Sequence, residues 1–335
     1  MKSTDPIAAV RTPYKFDRPM LTATFHAGDF DSHAVDTPFL FRHEGRYRML
    51  YGSFDGIGYR TGLASSDDLV TWQREGLVHD RGPAGSPTAF NVAINGLLRD
   101  VALMGPGDAT VVDGRLLGVW HGYPERGQEQ GRGYTGLARG DSLRRWTVEP
   151  PFLTAADGAA WERGGLYKPC LIRHDGRYFV FYNAKNTLEW PWHEQIGVAW
   201  SDDLRHWTRY EGNPIVPNGG PGSPDEIFAA DPCILQHGQT WVMFYYGLAA
   251  DGHARELAAF SDDLLTWRKA DRVLIDVGAD GSLDAMHAHK PGVIAADGVL
   301  YHYYGAARRW QDVDGSDVVH WNRRCVALAT SRPLG

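Results

Sequence analysis

An Asp-Leu-Trp element returns at near-regular intervals along the chain: SSDDLVTW at 65–72, GDSLRRW at 140–146, SDDLRHW at 201–207 and SDDLLTW at 261–267, with a degenerate TSRPL at 330–334. Its leucines, Leu69, Leu143, Leu204, Leu264 and Leu334, are 74, 61, 60 and 70 residues apart. A period of that length marks a repeat architecture, in which each unit buries its apolar face only against its neighbours. Five such units account for nearly all of the 335 residues.

Each unit runs in the same order: a Pro-containing apolar run, a turn with Gly, an aromatic run, a variable loop, a small-residue run and the Asp-Leu-Trp element. The first pair of runs reads TPFLFRHEGRYRMLYGSF (37–54), ATVVDGRLLGVWHGY (109–123), KPCLIRHDGRYFVFYNAKN (168–186), DPCILQHGQTWVMFYYG (231–247) and KPGVIAADGVLYHYYGAAR (290–308). Apolar or aromatic runs of about five residues split by Asp and Gly are hairpin signals, and no 3.6-residue stripe persists. The 12 Trp, 15 Tyr, 13 Phe and 39 Gly suit short strands and aromatic-lined pockets better than helices.

Four strands per unit, repeated five times, predict an all-β chain: a five-bladed β-propeller of four-stranded antiparallel blades around a central channel, with 1–335 as one domain. SDDLxxW then falls at the turn between strands 3 and 4, where Asp caps the turn and Leu and Trp pack between blades. Repetition makes these aspartates architectural. The last unit stops before an outer strand, so residues from about Tyr14 to Phe25 are expected to supply it and close the ring.

The 34 Lys and Arg stand against 41 Asp and Glu, a net charge of −7 with no basic block, which argues against nucleic acid or an anionic membrane as partner. Cys170, Cys233 and Cys325 have no zinc-like spacing and read as small buried hydrophobes. The start MKSTDPIAAVRTPYKF lacks a signal-peptide apolar core, and no apolar run approaches a membrane span, so the expectation is a cytoplasmic protein, or a secreted one if a leader has been removed. Oligomeric state is not legible.

In a propeller the starts of the inner strands converge on one mouth, so a polar residue that differs between blades there is a site candidate. Aligned on the prolines, four blades carry an acid six residues before the pre-proline position: Asp31, Glu162, Asp225 and Asp284. These are assigned to turn structure. The two residues just before Pro differ: Asp36-Thr37, Tyr167-Lys168, Ala230-Asp231 and His289-Lys290, with Gly107-Asp108 placed there in blade 2. Three carboxylates, two lysines and a histidine around one mouth suit glycoside chemistry, which needs one carboxylate to activate water or attack the sugar and a protonated group to expel the leaving oxygen.

Pro-led inner strands, GRYxxxY-type second strands and SxDLxxW turns together resemble the five-bladed glycosidases, glycoside hydrolase families 43, 62, 32, 68, 117 and 130, over essentially the whole chain, with family 43 the nearest likeness. The resemblance implies a base or nucleophile Asp before the first inner strand, matched by Asp36, a supporting Asp in blade 2, matched by Asp108, and a Glu acid in blade 3. That last place holds Tyr167, so the acid is expected elsewhere, in the order Glu226, Asp231, Glu194, His289. The Asn-Asp-Pro-Asn and Glu-Cys-Pro signatures of families 32 and 68 are missing, which disfavours fructosyl chemistry. The resemblance also allows Ca²⁺ in the channel near His287, although no cofactor is required.

Strand 2 to 3 loops are expected to wall the pocket, with Trp190, Trp192, His193 and Glu194 in blade 3, Asp55 in blade 1, and Lys168, His289 and Lys290 beneath as substrate contacts. Arg60 and Arg255, with Arg324 and the two lysines, are candidate cations for phosphate. The function these features imply is an exo-acting glycoside hydrolase on an oligosaccharide or glycoside bearing a pentofuranose-type sugar (arabinofuranosidase- or xylosidase-like), inverting, with Asp36 as general base. The alternatives are a glycoside phosphorylase or transglycosylase on the same fold, and a noncatalytic carbohydrate-binding propeller.

Overall fold

The computed structural model describes residues 6–310, 316, 318 and 320–334. Strands form where the sequence alternates aromatic or β-branched residues with small ones, and Gly-containing turns end them. A short pair, β1 (Tyr14–Lys15) and β2 (Leu21–Thr22), precedes five meanders. The first comprises β3 (Ala34–His43), β4 (Arg46–Phe54), β5 (Tyr59–Ser66) and β6 (Gln73–His79); the second β7 (Ala93–Leu97), the two-residue β8 (Val111–Val112), β9 (Arg115–Gly122), β10 (Tyr134–Ser142) and β11 (Arg145–Leu153). The third holds β12 (Gly165–His174), β13 (Arg177–Lys185), β14 (Glu194–Ser201) and β15 (Thr208–Arg209); the fourth β16 (Phe228–His237), β17 (Thr240–Leu248), β18 (Ala254–Ser261) and β19 (Arg268–Lys269); the fifth β20 (His287–Ala296), β21 (Val299–Arg309) and β22 (Asn322–Thr330). Helical structure among the described residues amounts to three 3₁₀ turns, Pro6–Val10, Ala155–Asp157 and Ala160–Glu162.

Neighbouring strands within each meander pair antiparallel, and the fifth is completed from the start of the chain, with Tyr14 opposite Thr330 and Leu21 opposite Val326. The first strands touch in the cyclic order β3, β7, β12, β16, β20 and back to β3. Apolar layers fill the space between meanders, as where Val35, Leu40 and Met49 of the first meet Tyr303, Val326 and Leu328 of the fifth.

The four recurring acids are structural, each through the same two partners. Asp31, Glu162, Asp225 and Asp284 are buried and accept from Tyr51, Tyr182, Tyr245 and Tyr304 at 3.2, 2.6, 3.0 and 2.9 Å. A cation on the outermost strand completes each pair: Arg74, Arg209, Lys269 and, from β1, Lys15. Lys15 thus does in the fifth meander what the fourth-strand base does elsewhere. The Asp-Leu-Trp turns are equally regular. Asp68, Asp203 and Asp263 each accept two backbone N–H groups two and three residues on, while Leu69, Leu204 and Leu264 take left-handed backbone at φ 62, 63 and 68°.

Register is set by a bulge at the pre-proline residue. Thr37, Lys168, Asp231 and Lys290 have φ of 50, 51, 56 and 66°, and pairing with the second strand slips there. A bulge re-aims a side chain at the cost of an unfavourable backbone region, and such features gather at functional sites.

The second meander corrects the sequence alignment. Its first strand is β7, not the 109–123 run, whose β9 is the second strand, and its slip between Ile94 and Gly96 puts Asn95 at the bulge. This unit has neither the Pro nor the acid of the others, and Gly96 leaves room for the Phe39 ring, which a Cβ placed there would meet at 2.8 Å. Asp108 is therefore not at the mouth. It is exposed and bridges to Arg42, six residues along β3 from Asp36, or roughly 20 Å at the rise of a strand.

Candidate active site

The bulged residues Thr37, Asn95, Lys168, Asp231 and Lys290 meet around a narrow cavity of about 50 Å³ on the channel. Lys290 also borders a larger cavity of about 270 Å³, walled by Trp190, Trp192, Phe228, Tyr246 and Trp321 and by the polar groups Gln128, Glu129, His287, His289 and Arg324. Aromatic faces with a few fixed polar groups are what a sugar requires, since its C–H faces stack while its hydroxyls need partners.

Asp36 lies behind this wall. Its carboxylate accepts from Lys290 Nζ at 2.8 Å, Arg324 Nη1 at 2.9 Å and Thr37 Oγ1 at 2.8 Å, and Lys168 Nζ donates to Thr37 Oγ1 at 3.0 Å. Burial by itself would raise its pKa, but Lys290, Lys168 and Arg324 outweigh it and hold the group well below the usual carboxylate range. A carboxylate so committed is a weak base. Asp231 shows the reverse balance: burial pushes its pKa up, and Lys168, 3.8 Å away, offsets this only in part.

Glu194 opens β14 and is 1% exposed. Its Oε1 accepts from the Trp192 indole at 2.9 Å and its Oε2 from Asn183 Nδ2 at 3.1 Å. Burial and then the charge of Glu129 push its pKa up to about 7, against the pull of the Tyr167 hydroxyl and the Trp192 N–H. Tyr167, which holds the expected place of the acid on β12, thus stands beside a carboxyl supplied from two strands further out. A carboxyl titrating near neutrality beside a second carboxylate is the arrangement that separates acid and base roles.

Two solved structures superpose on nearly the whole chain. The BT0996 complex with RGII is 27% identical, covering 99% of this chain and 95% of that one with a TM-score of 0.81, and a glycoside hydrolase is 26% identical, covering 100% and 97% with a TM-score of 0.79. Residues 118–282 match the N-terminal domain of glycosyl hydrolases family 32. The chain belongs to the propeller glycoside hydrolase superfamily. An uncharacterized protein of Mycobacterium tuberculosis is 27% identical over 198 residues, 56% of this chain, and the chain spans 64% of that relative's length.

The remaining polar groups of this propeller glycosidase homologue divide sharply. His287 Nδ1 accepts the Ala254 N–H at 3.2 Å, so its Nε2 carries the ring proton; His289 Nδ1 meets the Gly305 carbonyl at 2.7 Å, so its Nε2 is free to accept. Burial lowers both pKa values, with Arg324 adding to it at His287, held at about 4, and Lys290 at His289. Neutral histidines of opposite polarity suit hydroxyl recognition. Among the described residues no three His, Cys, Asp or Glu side chains are grouped to hold a metal ion.

Several expected site residues are committed elsewhere. Asp55 is clamped by Arg60 at 2.5 Å and Arg81 at 2.8 Å, and Arg255 pairs with Asp251 and Asp276, both at 2.8 Å, so Arg60 and Arg255 are not spare phosphate cations. Glu226 accepts the Gly222 N–H within its own loop, and His193 is exposed and borders neither cavity. Trp190 and Trp192 stand in the wall, edge to face at 5.1 Å. The residues sequence reasoning passed over are Glu129, Gln128, Trp321 and Lys185. Glu129 sits in the β9–β10 loop, in GQEQGRG, where a Gly-rich polar insertion was the available signal.

Proposed function

We propose that the five meanders are the blades of a closed five-bladed propeller and that this chain is an exo-acting glycoside hydrolase, with Glu194 as general acid and Glu129 as the second carboxylate. The observation that carries this reading is the Glu194 carboxyl, buried and hydrogen-bonded to Trp192 of the aromatic cavity wall, poised near neutrality and under the charge of Glu129. Protonated, Glu194 can give its proton to the leaving oxygen; Glu129, half-buried on the cavity wall, has access to water. Asp36 then serves the site from behind, by keeping Lys290 and Arg324 charged and in place, rather than as the base.

For the substrate we keep a terminal pentofuranose-type sugar on an oligosaccharide. A cavity just below the usual range for small ligands, roughly 300–1,000 Å³, supports recognition of a single ring, and the similarity to a protein studied in complex with RGII supports an oligosaccharide. A second reading, phosphorolysis, draws on Lys290 and Arg324, which border the cavity and are both cationic.

Aryl glycosides of the common pentofuranoses, assayed with and without inorganic phosphate, test these readings. Free sugar from the wild type and its loss in Glu194→Gln support hydrolysis. Sugar phosphate formed only with added phosphate would favour the second reading, and binding without turnover would leave a lectin-like propeller.

A further inference from the structure

Lys185 ends β13 and is 2% exposed, an expensive place for an ammonium group. Among the described residues its hydrogen bond runs not to a carboxylate but to a backbone carbonyl: Nζ donates to Glu129 O at 3.0 Å. Three rings surround the charge, with centroids of Trp192, Tyr123 and Tyr167 at 4.9, 5.7 and 6.0 Å. Such rings stabilise a desolvated cation without neutralising it.

The residue so held is unusual. Glu129 has φ of 61°, a backbone region that a non-glycine side chain disfavours, in a loop that nothing regular supports between β9 and β10. Lys185 itself is fixed from both sides: it pairs in register with Gly165 and with Glu194, and its carbonyl accepts the Gly164 N–H at 2.8 Å. One rigid strand end therefore carries the partner of Glu194 and the tether of Glu129.

We propose that Lys185 is a positioning residue, clamping the β9–β10 loop so that the Glu129 carboxylate stays on the cavity wall within electrostatic reach of Glu194. This rests on the carboxylate pair of the proposed function, but the clamp can be read without substrate. The groups facing Glu194 are Tyr167 of β12, Asn183 and Lys185 of β13, Trp192 ahead of β14, Asp231 of β16, Tyr246 of β17, and Tyr123 and Glu129 from the end of β9 and its loop. Among the charges, Glu129 acts most strongly on Glu194. Two effects of removing Lys185 therefore oppose each other. Losing a cation raises the Glu194 midpoint, whereas letting Glu129 swing away lowers it.

The test is Lys185→Met, whose thioether stem still suits the aromatic cage. Trp192, hydrogen-bonded to Glu194, reports that carboxyl through its fluorescence, the relevant transition being the one near pH 7 that disappears in Glu194→Gln. Hydrogen exchange of amides in 124–133 reports the loop. The clamp predicts at least tenfold faster exchange there and a lower midpoint, because Glu129 is the charge that acts most strongly on Glu194 and its departure outweighs the loss of the Lys185 cation. Adding Glu129→Gln to Lys185→Met should then move the midpoint no further. Unchanged exchange in 124–133, or a midpoint that rises, overturns the proposal; the first makes Lys185 a packing residue and the second a plain counter-charge. Should Lys185→Met fail to fold, Lys185→Gln carries the same comparison. Expected titration and exchange without glycosidase activity would leave the clamp standing and remove only the catalytic reading.

Discussion

Lys290 Nζ donates to Asp36 Oδ2 at 2.8 Å across 254 residues of sequence, joining the first strand of the last meander to that of the first. Both side chains are buried, and Arg324 from β22 shares the same carboxylate oxygen. One carboxylate thus holds two cations at the seam where the ends of the chain meet.

Asp36→Asn should consequently lose stability as well as activity. An amide leaves two buried cations without a counter-charge, which typically costs about 3–5 kcal/mol. The folded pKa of Asp36 is depressed, so its contribution is full above the ordinary value of 3.8 and is lost as pH falls through the lower, folded value. Thermal melts of wild type and Asp36→Asn should therefore differ most at neutral pH and converge in strong acid. Equal melting temperatures at pH 7 would show that the network does not stabilise the fold in this way.

Glu194→Gln should fold and lose a factor of about 10²–10⁴ in turnover, the usual weight of one acid–base group. In the wild type the acid form must be present, so the rate should fall as pH rises through about 7. The raised folded pKa also sets a stability trend opposite to that of Asp36: its contribution is full below the ordinary value of 4.5 and is lost as pH rises through about 7. A rate profile flat from pH 6 to 9 would exclude Glu194 as the acid.

Trp192→Phe separates stacking from hydrogen bonding. The ring still lies on Phe228, which it now faces at 6.2 Å and 14°, but the N–H that favours the charged form of Glu194 is gone. The alkaline limb of the rate profile should move up by several tenths of a pH unit or more, with substrate affinity little changed. A downward movement would contradict the hydrogen bond.

Lys15→Met and Lys269→Met should be matched lesions. Each removes the outer-strand cation from a buried carboxylate, Asp284 or Asp225, that keeps its tyrosine partner, at a cost of about 1–3 kcal/mol. Similar drops in melting temperature would show that the N-terminal strand carries the same load as an ordinary fourth strand. A silent Lys15→Met would mean that the fifth meander holds together without it.

Much of the architecture was legible because it repeats. Each SDDLxxW turn is built from local Asp-to-backbone bonds, and each acid six residues before a bulge finds a Tyr and a cation at fixed strand positions, so one unit explains the others. The second unit was misread where it drops those marks. Without Pro, acid or tyrosine, nothing in the chain near Asn95 shows that a bulge lies there, and Asp108 took its place in the alignment while standing at the far end of the strand.

Short-range chemistry along the chain was enough to specify an all-β chain of antiparallel strand-turn-strand units and the pairing of the N-terminal segment with the last of them, because strand period, turn chemistry and repeat spacing act over a few residues at a time. Which carboxyl is free to do chemistry emerged only on folding. That depends on which charges surround each group after burial: three donors close on Asp36, two arginines close on Asp55, and Glu194 is left with an indole, an amide and the repulsion of Glu129. Coulomb interactions in a desolvated site follow distance in space, and the partners here include groups brought in from other meanders, up to 288 residues apart.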